Sequence, residues 1–361
     1  MSTVLIDCRM AQWSGVGRYT HGLVRALAAL PDLSLVLATA SGEEAVLPQS
    51  ERVRAVTAVH HPFSTRGMRE LANLVEQAEP NVVHCLHFPT PSHLAVPLVV
   101  TLHDVTPLIL PETMPSAVRR AAYRRLTSRA VRLAARLIVP SEATAADVAR
   151  LFPTAAGKTT LIAEAADDFA AGEIGALPTG VGAAPYILTM GNTKPHKDVP
   201  TVLTAFEYIA ETRPDLQMVL VGSEPPGYLD AHLSGGSRER ARFTGRVNDA
   251  ELRALYARAT VFAFPSRYEG FGLPPLEAMS FGTPVVVAAA ASLPEVVGDA
   301  ALIFPPGDVQ ALADHVVRLL DHAELRQDLG HRGRAQAARF SWARTASETA
   351  LVYADALADG R

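Results

Sequence analysis

Short apolar runs recur along this chain, and helical patterns separate most of them. Val4-Leu5-Ile6-Asp7 opens the series, and Leu35–Ala38, Val53–Val59, Val82–Leu86, Leu98–Leu102 and Leu137–Val139 continue it. Such runs suit strands buried on both faces, and the helices between them suit crossover connections. The alternation therefore predicts an α/β fold with parallel sheets. A second series follows: Tyr186–Met190, Val219–Val221, Phe243–Val247, Thr260–Pro265, Val285–Val287 and Leu302–Phe304. Between the two lies a stretch rich in Ala and Gly, with Pro178 and glycines at 172, 175, 180 and 182, and no amphipathic period. It reads as a linker over 166–184. A chain of 361 residues expects two domains, and two similar α/β halves supply them.

The most informative loop follows the run at Thr260–Pro265. Ser266-Arg267-Tyr268-Glu269-Gly270-Phe271-Gly272-Leu273-Pro274-Pro275-Leu276-Glu277-Ala278-Met279 reads as a glycine-rich loop entering a short helix, which Gly282 ends. The two prolines carry no N–H, so the donors crowd onto Phe271, Gly272 and Leu273. Glycine lets that backbone approach a ligand, and the helix start favours an anion. Yet Glu269 and Glu277 flank the loop and would repel a bare phosphate. A ligand with both anionic and hydroxyl groups suits all the parts, because carboxylates accept from sugar hydroxyls. A nucleotide-sugar is such a ligand. For either glutamate alone, the plainer reading is a charge complementing the helix dipole.

Other segments add candidates. Leu98–Leu102 delivers His103 to a strand's carboxyl end, where open α/β sheets bind ligands; taken alone, the residue reads as a core or capping histidine. Lys197 follows Tyr186–Met190 beside a helix start. Its compact ammonium suits a diphosphate, and the plainer reading is a solvated surface lysine. Lys158, Lys194 and Lys197 are the only lysines against 30 arginines, so two of them three residues apart stand out. High arginine and alanine point to a GC-rich bacterial genome. Gly15 and Gly17 form a strand–turn–helix opening, but Thr20 stands where a dinucleotide fingerprint needs its third glycine. The strand Leu35–Ala38 ends in Thr39-Ala40-Ser41, without an acid for a ribose, so a nicotinamide site is not expected.

The loop from Glu269 to Glu277 resembles the Glu-x7-Glu signature of the retaining glycosyltransferases of family 4. Thr101-Leu102-His103-Asp104-Val105-Thr106-Pro107 is similar to that family's cleft histidine region, and Gly245-Arg246-Val247 to its base-proximal turn. The resemblance covers nearly the whole chain. It implies the GT-B fold, two Rossmann-like domains facing a cleft: 1–165 on the acceptor side, 185–340 for the donor, and 341–361 as a helix crossing back to the first domain, anchored by Trp342. It implies a transferase that needs no cofactor and takes a nucleotide diphosphate-sugar as co-substrate. His103, Glu269 and Lys197 would be catalytic. Gly15, Gly17, Asn192, Lys197, Arg246, Val247, Glu269, Gly270, Phe271, Gly272, Leu273 and Glu277 would bind the donor. Asn192 is a departure, since many members carry Arg there, which leaves the second charge on the diphosphate unassigned.

Asp-x-Asp occurs nowhere, so no metal is expected, and leaving-group charge falls to Lys197, loop amides and the helix dipole. Cys8 and Cys85 have no CxxC partner, which fits small core residues in a reducing cytoplasm. No apolar run reaches the ~18 residues of a membrane span, and no signal peptide is read. Residues 1–160 hold sixteen Lys/Arg against twelve Asp/Glu, net +4, and the remainder seventeen against twenty-five, net −8. Nucleic acid is not an expected partner, for no recognised motif or aromatic-interleaved basic patch is present. From Ser116 to Arg136 there is no acidic residue. Wound as a helix, Leu126, Ala130, Leu133 and Leu137 gather on one side, with most of seven arginines on the other. Peripheral contact with the inner face of an anionic membrane is one reading. A solvated face and a soluble small-molecule or glycan acceptor is the preferred one. The residues leave open a nucleotide-sugar epimerase, a glycan phosphorylase or a non-catalytic nucleotide-sugar binder.

Overall fold

A computed structural model describes residues 2–43, 47–48, 50–182 and 184–359. The chain divides into two compact units, Met1–Ala165 with Ser341–Arg361, and Ala166–Phe340. In the first unit seven strands, β1 Ser2–Asp7, β2 Leu33–Ala40, β3 Val53–Ala58, β4 Val82–Cys85, β5 Leu98–Thr101, β6 Arg136–Val139 and β7 Thr159–Leu161, lie in the order β3-β2-β1-β4-β5-β6-β7. All pairings are parallel; Val4 lies across from Leu35 on one side and Val82 on the other. Burial on both faces explains the unbroken apolar runs: Val4, Leu5 and Ile6 are fully buried. Strand β7, not anticipated, is three residues on the sheet edge and only partly covered, so no apolar run announces it. Strand order reverses at β1, so the carboxyl ends of β1 and β4 frame this sheet's switch point.

The second unit holds β8 Tyr186–Met190, β9 Gln217–Val221, β10 Ala241–Phe243, β11 Val261–Phe264, β12 Val285–Ala288 and β13 Leu302–Phe304, in the order β10-β9-β8-β11-β12-β13. These pairings are parallel too. Its switch point lies between β8 and β11. Leu203, Phe206, Leu220, Phe304 and Leu312 are fully buried in its core.

Residues 166–184, expected as a linker, group with the second unit. Asp167–Ala170 is a short helix, and Phe169 is buried edge-on against Tyr256 and Phe281. Arg253 lies over its ring and donates to its carbonyl at 2.7 Å. One aromatic thus anchors a segment that is otherwise small residues. Ala183, in the same stretch, lies outside the described residues.

The basic helix spans Ala117–Leu133 and buries Thr127, Ala130 and Val131. The backbone turns extended at Ala134, so Arg136 and Leu137 belong to β6 and not to the helix, and Leu133 is exposed. The expected faces carried the helical wheel past the helix end. Arg129 donates to the Thr90 carbonyl at 2.6 Å, Arg120 to those of Met114 and Pro115, and Arg136 pairs with Asp359.

The last helix, Trp342–Asp359, packs within the first unit. Trp342 is buried against Gly22, where any Cβ would overlap the indole. Deeper, Tyr353 Oη meets His84 Nδ1 at 2.7 Å, His84 Nε2 meets Thr101 Oγ1 at 2.8 Å, and Thr101 Oγ1 meets Tyr19 Oη at 3.2 Å. All four side chains are buried, so their hydrogen bonds offset a desolvation cost that water would otherwise spare them. Burial first, and the His103 charge second, pull the His84 pKa down to about 3. Among the described residues no helix is long and apolar enough to cross a membrane.

Candidate active site

Two segments meet at the carboxyl ends of β8 and β11. The first runs from Gly191 through a single turn, Pro195–Lys197, to Asp198 in the left-handed region (φ 48°) and on to the helix Val199–Thr212. The second is the loop after Phe264. Backbone and side chain lace them together: the Arg267 N–H donates to the His196 carbonyl at 2.6 Å and Ser266 Oγ to the same oxygen at 3.1 Å. This lacing sets Lys197 Nζ 2.6 Å from Glu269 Oε1, with the side chains 20% and 14% exposed. The ammonium also lies 5.8 Å from the Phe264 ring centre. Ser292 Oγ fixes the loop from behind, lying 3.0 Å from the Glu269 carbonyl and 2.5 Å from that of Phe271.

Gly272 ends the loop at φ 119°, a conformation that L side chains rarely adopt, and starts the helix Leu273–Ser280 without a side-chain cap. Pro274 and Pro275 lack N–H groups, so the donors near this end belong to Gly272 and Leu273. Glu277 lies deeper, 4% exposed, and its Oε2 accepts from Tyr256 Oη at 3.0 Å. The structure therefore brings Lys197, Glu269, Gly270, Phe271, Gly272 and Leu273 together at the switch point. Asn192 turns inward on its own loop, accepting from the Lys194 N–H at 3.1 Å. Arg246 and Val247 follow the edge strand β10, beyond Gly245 at φ 73°. Among the described residues no three His, Cys, Asp or Glu side chains are grouped to hold a metal.

The other candidates lie in the first unit. His103 follows β5 and stands between two acceptors, Glu164 Oε1 at 2.8 Å from Nδ1 and the Leu86 carbonyl at 3.0 Å from Nε2. Tyr19 meets the His103 ring edge-on at 4.6 Å between centres. Gly17 has a packing reason: a Cβ there would run into the Ala11 carbonyl. Gly15 faces open space, so nothing in the fold demands it. At the end of β1, Asp7 takes two hydrogen bonds from the Arg9 guanidinium, each 2.7 Å. Burial would lower the Arg9 pKa, and Asp7 outweighs it and raises it.

A family model for glycosyltransferase family 4 matches residues 13–168, and one for group 1 glycosyl transferases matches residues 181–336. The O-antigen chain mannosyltransferase B of Escherichia coli is 32% identical over 369 residues, covering 94% of this chain and 96% of that protein. The chain belongs to glycosyltransferase family 4. The MMP α-(1→4)-mannosyltransferase of Mycolicibacterium hassiacum is 39% identical over 170 residues, 45% of this glycosyltransferase and 41% of that relative. Among solved structures, sucrose-phosphate synthase from Thermosynechococcus elongatus superposes with a TM-score of 0.78 at 20% identity, over 99% of this chain and 100% of that one. Anabaena HepE in complex with UDP-glucose gives 0.70 at 20% identity, over 98% and 100%. The fold is GT-B, as the sequence led one to expect, and the chain is a glycosyltransferase.

Several residues around these positions had no local signal. Glu164 lies 61 positions from His103, and Lys197 and Glu269 lie 72 apart. Tyr256 and Ser292 come from a helix and a turn that read as ordinary packing. For Lys197 the scarcity of lysine was a hint, and for Glu269 the Glu-x7-Glu spacing was one; for Glu164, Tyr256 and Ser292 the sequence offers none.

Proposed function

We propose that this glycosyltransferase retains anomeric configuration, works without a metal, and moves a mannosyl group from a nucleotide diphosphate-sugar to a hydroxyl acceptor. The observation that carries the reading is the Lys197–Glu269 pair, held beside an uncapped helix start at the switch point. Lys197 takes the diphosphate charge, with the Gly272 and Leu273 amides and the helix dipole beside it. Glu269 accepts from donor sugar hydroxyls, and Glu277 from the ribose. Arg246 and Val247 line the base, and Asn192, Gly15 and Gly17 belong to the donor's surroundings. His103 acts on the transition state. In a front-face displacement the acceptor oxygen bonds to C1 as the C1–phosphate bond breaks, and the departing phosphate takes the acceptor proton. The names of two relatives, both mannosyltransferases, support mannose. The free, buried Cys8 and Cys85 support a reducing cytoplasmic setting.

The test is calorimetric titration with GDP, UDP and ADP, followed by transfer from the matching sugar nucleotide and NMR of the product. Binding of one nucleotide, retention at C1 and full rate in excess EDTA are expected. Inversion, or activity restored only by Mg²⁺, would overturn the reading.

A further inference from the structure

An aromatic face at the switch point of the first unit has no use in the fold. Trp13 precedes the helix Ser14–Ala28, just past the carboxyl end of β1. It is 42% exposed, the more exposed of the two tryptophans, while Trp342 is buried. Its backbone is fixed: the N–H donates to the Met10 carbonyl at 2.9 Å, and its carbonyl accepts from Gly17 at 2.6 Å. One face of the indole stacks on Phe63, 5.7 Å between centres and 14° between planes, and His61 tilts against it at 5.7 Å.

The support beneath is equally held. Phe63 meets Phe88 edge-on at 5.2 Å and packs on the core. The turn after β3 is fastened by Glu70, whose carboxylate accepts from the N–H groups of Val59 and His60, each at 2.9 Å. Gly67 lets the next helix close against His61, for a Cβ there would strike the His61 carbonyl. His61 Nδ1 accepts from the Phe63 N–H at 3.3 Å, which leaves Nε2 as the proton-bearing donor at the rim. Ring contacts continue inward, Phe63 to His87 at 5.9 Å and His87 to His103 at 6.3 Å.

We infer that Trp13 is an acceptor platform and that the acceptor is a saccharide, one pyranose of which lays its apolar C–H face on the exposed indole. This deepens the function proposed above and rests on it. A large apolar side chain is left in water at a cost, and a preformed one is a ready binding surface for a partner with an apolar face. A sugar ring has such a face edged by hydroxyls, and the His61 Nε2–H is placed to meet one. The ring path carries the platform toward His103. A phosphorylated polyol has no need of this surface, since its affinity would come from cations. The Arg9 guanidinium at the end of β1 is already spent on Asp7 and, at 2.8 Å, on the Gly67 carbonyl.

Tryptophan fluorescence reads the platform directly and needs no turnover. Manno-oligosaccharides should change the emission of the wild-type protein and leave that of Trp13→Phe unchanged, since Trp342 is out of reach. With the working donor, Trp13→Ala should raise the saccharide KM about tenfold, equivalent to ~1.4 kcal/mol, with kcat, donor hydrolysis and nucleotide affinity within about twofold. Trp13→Phe should recover part of the loss. If no donor is turned over, the proposed function fails while the fluorescence arm still decides the platform. Wild-type emission indifferent to manno-oligosaccharides, an emission change with inositol phosphate alone, or an unchanged acceptor KM in Trp13→Ala would each overturn the inference.

Discussion

Lys197 and Glu269 hold each other, so neither is removed without exposing the other to an unmatched environment. The pair is mostly covered, and losing a charged hydrogen bond costs ~1–3 kcal/mol. Lys197→Ala should weaken nucleoside diphosphate binding by that amount in calorimetry. Glu269→Gln keeps an acceptor and loses the charge; nucleotide affinity should stay near wild type while turnover falls. Equal losses of affinity in both variants would remove the division of roles. Gly15 and Gly17, expected in a turn, lie in the first turn of the helix Ser14–Ala28 and make a second contrast. Gly17→Ala should lower the melting temperature, because its Cβ meets the Ala11 carbonyl. Gly15→Ala, helical and with open space around it, should hold or slightly raise stability and slow transfer. A melting temperature that falls equally for both would show that Gly15 is also structural. Residues such as Glu269 and Glu277 are legible in the sequence because their spacing is local and their loop is glycine- and proline-rich. Glu164 and Ser292 are not, because their roles exist only after strands far apart in sequence are brought side by side.

At the scale of elements, the buried strands were readable from apolar runs, and β7 was not, for an edge strand has little to bury. Helix ends were the other loss: the basic helix stops at Leu133, and its wheel had been continued through Leu137. The last helix is the element whose attachment has the clearest energetic signature. Trp342→Ala removes a buried indole seated on Gly22 and should cost ~3–5 kcal/mol, seen as a lower thermal midpoint for the first unit. The buried His84 adds a pH term. Its folded pKa, about 3, lies below the usual ~6.5 of the unfolded chain, so between these values the unfolded state binds the extra proton. The contribution is whole above about pH 6.5 and is lost as pH falls toward 3, at up to ~1.4 kcal/mol per unit. Melting scans between pH 7 and 5 should therefore show a declining midpoint, and His84→Gln should flatten it. An identical slope in the variant would assign the acid sensitivity to other groups.

At the scale of the whole molecule, the two halves were legible as two series of strands, and the assignment of the segment between them was not. One buried phenylalanine, Phe169, outweighs a composition of small residues and draws 166–184 into the second unit. The division makes a further expectation. A chain ending at Phe340 keeps every strand of the second unit, and should bind nucleotide within about twofold of the full chain. Its first unit, left without the Tyr353 partner of His84 Nδ1 and without the Trp342 ring beside Tyr19, should become sensitive to protease. A truncated chain that resists protease as the full one does would show that the helix adds little.

The second unit is, in chain order, an insertion within the first, since Ser341–Arg361 returns to complete what Met1–Ala165 began. A ribosome issues residues in one direction, and domains generally fold as they emerge. Here the unit begun before the second is completed only after it. From the moment residue 165 clears the exit tunnel until Trp342 arrives, the pocket around Gly22 and the His84 ring stand open to solvent. The emerging chain is thus open to chaperones and aggregation in the unit that residues up to 165 begin, until the helix Trp342–Asp359 closes it.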